Sequence, residues 1–174
     1  MCEWQVCRSR SPGRAKVVTS ARWHDVRDEL RTGIAHLDNA CSMFDEFSLV
    51  GDDLRAYANR MALMHAMQSG YTSIEAGLDR ILQLLGEERP QGADWHKALL
   101  RRVASPLAEA RPAVLSEDLY RRLDDLRRFR HIASRTYDTF EPGQARPAVD
   151  AARYVVANLM TEVDAFQTQV DPPR

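Results

Sequence analysis

Apolar residues in this chain recur at alternating steps of three and four over four long stretches, a spacing that only a helix gathers onto one face. Between Ser20 and about Phe47 the rungs are Trp23, Val26, Leu30, Ile34, Leu37, Cys41 and Phe44. From about Asp52 to Leu85 they include Leu54, Tyr57, Met61, Met64, Tyr71, Ile74, Leu78, Ile81 and Leu85. Leu119, Leu123, Leu126, Ala133 and Tyr137 mark Ser116 to Phe140, and Ala151, Leu159, Val163 and Phe166 mark about Pro147 to Val170. A shorter helix runs from Asp94 through WHKALLRRVA to Pro106, which cannot continue it. No stretch alternates as a strand would. The expected fold class is all-α, a four- to five-helix up-down bundle.

Punctuation between the stretches agrees with this. Ser20, Asp94 and Ser116 suit N-caps, and Gly51 with Asp52 and Asp53 suits a turn leading into one. The second helix would be ~50 Å long, so a bend near Ser69 and Gly70 is expected. Residues 1–19 are basic and irregular and read as a flexible leader, 20–170 as one helical domain, and 171–174 (DPPR) as a frayed tail.

With 24 Lys and Arg against 25 Asp and Glu, the net charge is −1, so any nucleic-acid site must be a local patch. Three cysteines, Cys2, Cys7 and Cys41, form no disulfide framework or zinc set, which suits a reducing, cytoplasmic setting. No run approaches the ~18 apolar residues of a membrane span. The five histidines have no HExxH spacing, and there is no Gly-rich phosphate loop or nucleophile elbow; neither metal nor cofactor is expected.

The fourth stretch breaks its own ladder. The rung between Leu126 and Ala133 is position 130, and it holds an arginine, a residue rarely buried unless paired. Either the helix edge is open there, or Arg130 faces a cleft containing an anionic group. Arg127, Arg128, His131, Ser134 and Arg135 surround it, and Tyr137 follows. Most arginines interleaved with Asp118, Asp124 and Asp125 read as a solvated, ion-paired face. Arg130 does not. Arginine matches phosphate oxygens and histidine exchanges a proton near neutral pH, so these groups could cleave RNA without a metal. On the second helix, Tyr71 and Glu75 lie one turn apart, and Glu75 is expected to pair with an arginine of the fourth helix. His96 reads as a partly buried, hydrogen-bonded side chain.

Three segments carry a family resemblance: SGYTSIEAGLDRIL, GADWHKALLRRVA and RPAVLSEDLYRRLDDLRRFRHIASRTYD. In that order and with those loop lengths the chain resembles the HepT-like branch of the HEPN superfamily over roughly residues 20–168. The resemblance implies an HEPN-like bundle, commonly a homodimer, and metal-independent endoribonuclease activity on RNA as the toxin of a toxin-antitoxin pair with a nucleotidyltransferase antitoxin. The family motif is an arginine, a polar residue, three residues, a histidine, one residue and a tyrosine. It places Arg130 as the arginine, His131 at the polar position and Tyr137 as the tyrosine. Arg135 stands where the histidine should be, which leaves either an inactive site or His131 in the histidine's role. The implied site is then Arg130, His131 and Tyr137 as catalytic groups, Arg127, Ser134 and Arg135 on the phosphates, and Glu75 in support. Tyr137 would be the acceptor of antitoxin modification. The alternative is a non-catalytic HEPN module that binds a nucleotidyltransferase or RNA.

Overall fold

The computed structural model describes the backbone of residues 12–108, 110–135 and 142–172, with side chains throughout these ranges except at 12–20, 131–135, 142 and 144. Among the described residues five helices follow one another: α1 (Pro12–Glu46), α2 (Leu54–Leu84), α3 (Trp95–Ala104), α4 (Glu117–Arg135) and α5 (Pro142–Val170). Among the described residues there is no strand, only an isolated bridge between Leu107 and Arg111.

The apolar ladders become the core. Trp23, Val26, Leu30 and Leu37 of α1 meet Leu63, Tyr71, Ile74, Leu78 and Ile81 of α2, with Val155, Leu159, Val163 and Phe166 of α5 closing a third side. Helix directions follow from cross-contacts. Leu30 abuts Gly77 and Leu37 abuts Gly70, so α1 and α2 are antiparallel. Arg27 binds Asp164 at 2.7 Å and Arg153 binds Asp45 at 2.6 Å, so α1 and α5 are antiparallel too. Ser116 donates to Glu162 while the Arg122 guanidinium lies over the Tyr154 ring, setting α4 against α5. The result is the expected up-down bundle, with α3 as a short fifth helix.

Gly70, where a bend is expected, marks a close approach of α2 to α1. Its Cβ, if present, would lie 2.7 Å from Leu37, and one on Gly33 would lie 2.8 Å from the Gly70 carbonyl. The two backbones touch there because neither position carries a side chain.

Caps and boundaries differ in detail from expectation. Asp53 caps α2, its carboxylate accepting the Ala56 N–H at 2.8 Å, and Ser116 caps α4 by accepting the Leu119 N–H. Asp94 precedes α3 but makes no side-chain cap. α1 is already helical from Pro12, so Ser20 lies inside the helix and does not cap it. α5 is helical from Pro142 and runs through Pro147, which is exposed one turn in and there forfeits a single bond. α4 is described to Arg135 instead of Phe140, and residues 1–11 and the remainder of the expected fourth helix lie outside the described residues.

Between α3 and α4 the chain folds around Arg111, whose side chain is buried. It forms an ion pair with Glu87 and donates to the carbonyls of Arg102, Ser105 and Pro112. A buried guanidinium needs this saturation. Its effect is to fix α3 against the start of α4.

Candidate functional site

The ladder of α4 resolves at its broken rung. Leu119, Leu123, Leu126 and Phe129 are all buried. A helical period of 3.6 puts the meridian after Leu126 between positions 129 and 130. Phe129 therefore turns into the core, and Arg130 lies along the edge facing α2. The anionic partner is supplied by the protein itself: Arg130 Nη1 is 3.6 Å from Glu75 Oε2. This ion pair is the one expected of Glu75. The Arg130 side chain remains 29% exposed, whereas that of Glu75 is only 5% exposed.

A buried carboxylate must be compensated, and Glu75 has three partners from three helices. Tyr71, one turn earlier on α2, donates its hydroxyl to Oε1 at 3.1 Å. His96, in the first turn of α3, brings Nδ1 to the same oxygen at 2.5 Å. Arg130 of α4 faces the other oxygen. Burial, reinforced by the neighbouring Glu75 charge, pushes the Tyr71 hydroxyl far above the ordinary phenol range, so it remains a donor.

His96 is itself braced. The Trp95 ring lies against it with centroids 3.8 Å apart, and the Arg89 guanidinium covers Trp95 at 4.2 Å. Arg89 in turn pairs at 3.4 Å with Asp79, one turn beyond Glu75 on α2. Gln83 donates to the other Asp79 oxygen at 2.9 Å. Tyr71 and Glu75 of α2 thus meet α3 and α4, while Asp79, one turn further on, engages Gln83 and, from the loop before α3, Arg89.

Arg127 is largely buried and held by Asp124, Nε to Oδ1 at 2.7 Å, while the exposed Arg128 binds the second Asp124 oxygen at 2.7 Å. Burial alone would raise the Asp124 carboxyl, but the Arg127 hydrogen bond and the two guanidinium charges outweigh it and hold the group below the usual carboxylate range. Of the expected site residues, the structure therefore brings Arg130 and Glu75 together and engages Arg127 with Asp124. The side chains of His131, Ser134 and Arg135 and the whole of Tyr137 lie outside the described residues.

His96 is partly buried and hydrogen-bonded, as expected of it, but its partner was not foreseen. Its position in the first turn of α3 gives no sign that it would meet Glu75, 21 positions earlier. The adjoining tryptophan was the available signal.

Among the described residues, no cluster of three or more His, Cys, Asp or Glu side chains could hold a metal ion, and no helix is long and apolar enough to cross a membrane. Fold and site together define an all-α HEPN-like bundle that carries an arginine-carboxylate-histidine cluster where α2, α3 and α4 meet. A family model described as HepT-like protein matches residues 62–170, from within α2 to the end of α5. The chain belongs to that HepT-like family of the HEPN superfamily. Neither curated proteins nor solved structures yielded a match.

Proposed function

We propose that this protein is a metal-independent endoribonuclease, the toxin of a toxin-antitoxin pair acting in the cytoplasm. Arg130 binds the scissile phosphate and stabilises the charge that develops on it. His131 exchanges a proton with the substrate, and Tyr137 orients the RNA or accepts a modification from a nucleotidyltransferase antitoxin. Arg127, Ser134 and Arg135 contact neighbouring phosphates. A homodimer would join two such clusters into one cationic groove.

The observation that carries this reading is the setting of Arg130. The arginine at the family's motif position is partly exposed, yet backed by a buried carboxylate that two further side chains hold in place. A guanidinium has five N–H donors, so one ion pair fixes its direction and leaves others for phosphate oxygens. Such preorganised charge is what phosphoryl chemistry requires of a protein.

The second reading, a non-catalytic module that binds a nucleotidyltransferase or RNA, is favoured by one residue: Arg135 occupies the motif's histidine position. RNA cleavage in the presence of EDTA decides between them. The expected result is cleavage by the wild type and a loss of roughly 10²–10³-fold in Arg130→Ala, with a comparable loss in His131→Ala. Cleavage unaffected by either change overturns the site. A folded wild type that binds RNA or the nucleotidyltransferase but leaves RNA intact supports the module.

A further inference from the structure

Cleavage of an RNA phosphodiester involves two proton transfers, one from the attacking 2′-hydroxyl and one to the departing 5′-oxygen. His131 accounts for one of them in the reading above. We infer that His96 accounts for the other, as the base that takes the 2′-hydroxyl proton. This rests on the ribonuclease reading and adds to it a residue outside the motif helix.

The geometry is that of a carboxylate-oriented histidine. His96 Nδ1 is bonded to Glu75 at 2.5 Å, and this carboxylate is nearly inaccessible to water. A carboxylate accepts, so Nδ1 carries a proton, and in the neutral ring so oriented the lone pair lies on Nε2. The same carboxylate stabilises the imidazolium formed when Nε2 takes a proton, the role an aspartate plays in hydrolase triads. Trp95 restrains the ring from one side, and the side chain stays 21% exposed. Glu75 presents its other oxygen to Arg130. One buried carboxylate therefore positions both the phosphate-binding cation and the proton acceptor.

The step balances without a co-reactant. The 2′-O–H bond breaks and its proton passes to His96 Nε2 as the 2′-oxygen bonds to phosphorus. The P–O5′ bond breaks, and the leaving oxygen takes a proton from His131 or water. The products are a 2′,3′-cyclic phosphate and a 5′-hydroxyl. A merely structural histidine would need only its bond to Glu75, and asparagine can reproduce that bond with its amide N–H while offering no base.

The test compares the wild type, Arg130→Ala, His96→Asn and His96→Ala on one RNA in EDTA, with RNA binding and melting temperature measured alongside. His96→Asn is expected to bind RNA as the wild type does and to cleave roughly 10²–10⁴-fold more slowly. Added imidazole is expected to restore part of the rate to His96→Ala and none to Arg130→Ala. If the wild type cleaves, Arg130→Ala does not, and His96→Asn keeps the wild-type rate, the inference is overturned and the ribonuclease reading stands. A wild type that leaves RNA intact overturns both. Should His96→Asn fail to fold, His96→Ala with and without imidazole is read in its place, and a wild-type rate without imidazole, or no rescue by it, overturns the inference.

Discussion

Arg130 of α4 and Glu75 of α2 meet at 3.6 Å, and this ion pair is where a charged rung in an apolar ladder finds its reason. The carboxylate is buried and the guanidinium is not, so the pair works in one direction: the interior holds the anion, and the anion aims the cation at the surface. Tyr71 and His96 complete the compensation from α2 and α3.

Removing that carboxylate should therefore do more than delete one contact. Glu75→Ala leaves the Tyr71 hydroxyl and His96 Nδ1 without their acceptor and Arg130 without its counter-charge. A loss of roughly 3–5 kcal/mol is expected, as for other broken buried pairs. Glu75→Gln retains an acceptor oxygen and should lose about half as much, given about 1–3 kcal/mol for each buried group left unsatisfied. Urea denaturation of the three proteins measures this. A Glu75→Ala protein as stable as the wild type would show that the cluster holds nothing together.

The contact between α1 and α2 makes a second, independent claim. A methyl group on Gly33 would lie 2.6 Å from an Ile74 side-chain carbon and 2.9 Å from the Ile74 backbone nitrogen, so the helices must part to admit it. Gly33→Ala should cost about 1–3 kcal/mol despite the better helix propensity of alanine. At Gly143, in the first turn of α5, a Cβ meets nothing among the described residues within 4 Å. Gly143→Ala should raise stability by about 0.5 kcal/mol. Opposite signs in thermal melts of the two variants are the diagnostic, and equal signs would refute the close approach.

Asp124 predicts an acid limb. Arg127 and Arg128 hold its carboxyl below the usual carboxylate range in the folded protein, against the opposing effect of burial. A group whose folded pKa is depressed binds more protons when unfolded, so its contribution is full above the ordinary carboxylate value near 4 and is lost as pH falls through the lower folded value. Asp124→Asn removes that contribution and should destabilise by about 2 kcal/mol at pH 7. The gap between variant and wild type should close as pH is lowered from about 4 toward 2. Denaturation curves collected across that range check it, and a gap that widens on acidification would contradict the assignment.

Much of this was legible in the residues. The ladders of α1, α2, α4 and α5, the caps at Asp53 and Ser116, and the oddity of Arg130 all follow from a helical period acting on local sequence. The same reasoning misjudged Ser20 and Pro147. Ser20 lies within a helix that already covers the residues from Pro12, and an exposed proline inside α5 forfeits only a single bond. Glycine weakens a helix in isolation, and local sequence gave no sign that Gly70 would meet Gly33 across the α1–α2 contact.

The sequence by itself determined which segments are helical, which face of each is apolar, and that position 130 of the fourth helix could not be ordinary core. Local spacing settles these because they depend on residues one to four positions apart. Tertiary structure alone decided that Phe129 and not Arg130 would enter the core, that Glu75 would be buried, and that His96 would share its carboxylate with Arg130. Those outcomes depend on how α2, α3 and α4 pack, and a buried charge is tolerated only where partners distant in the chain arrive together to satisfy it.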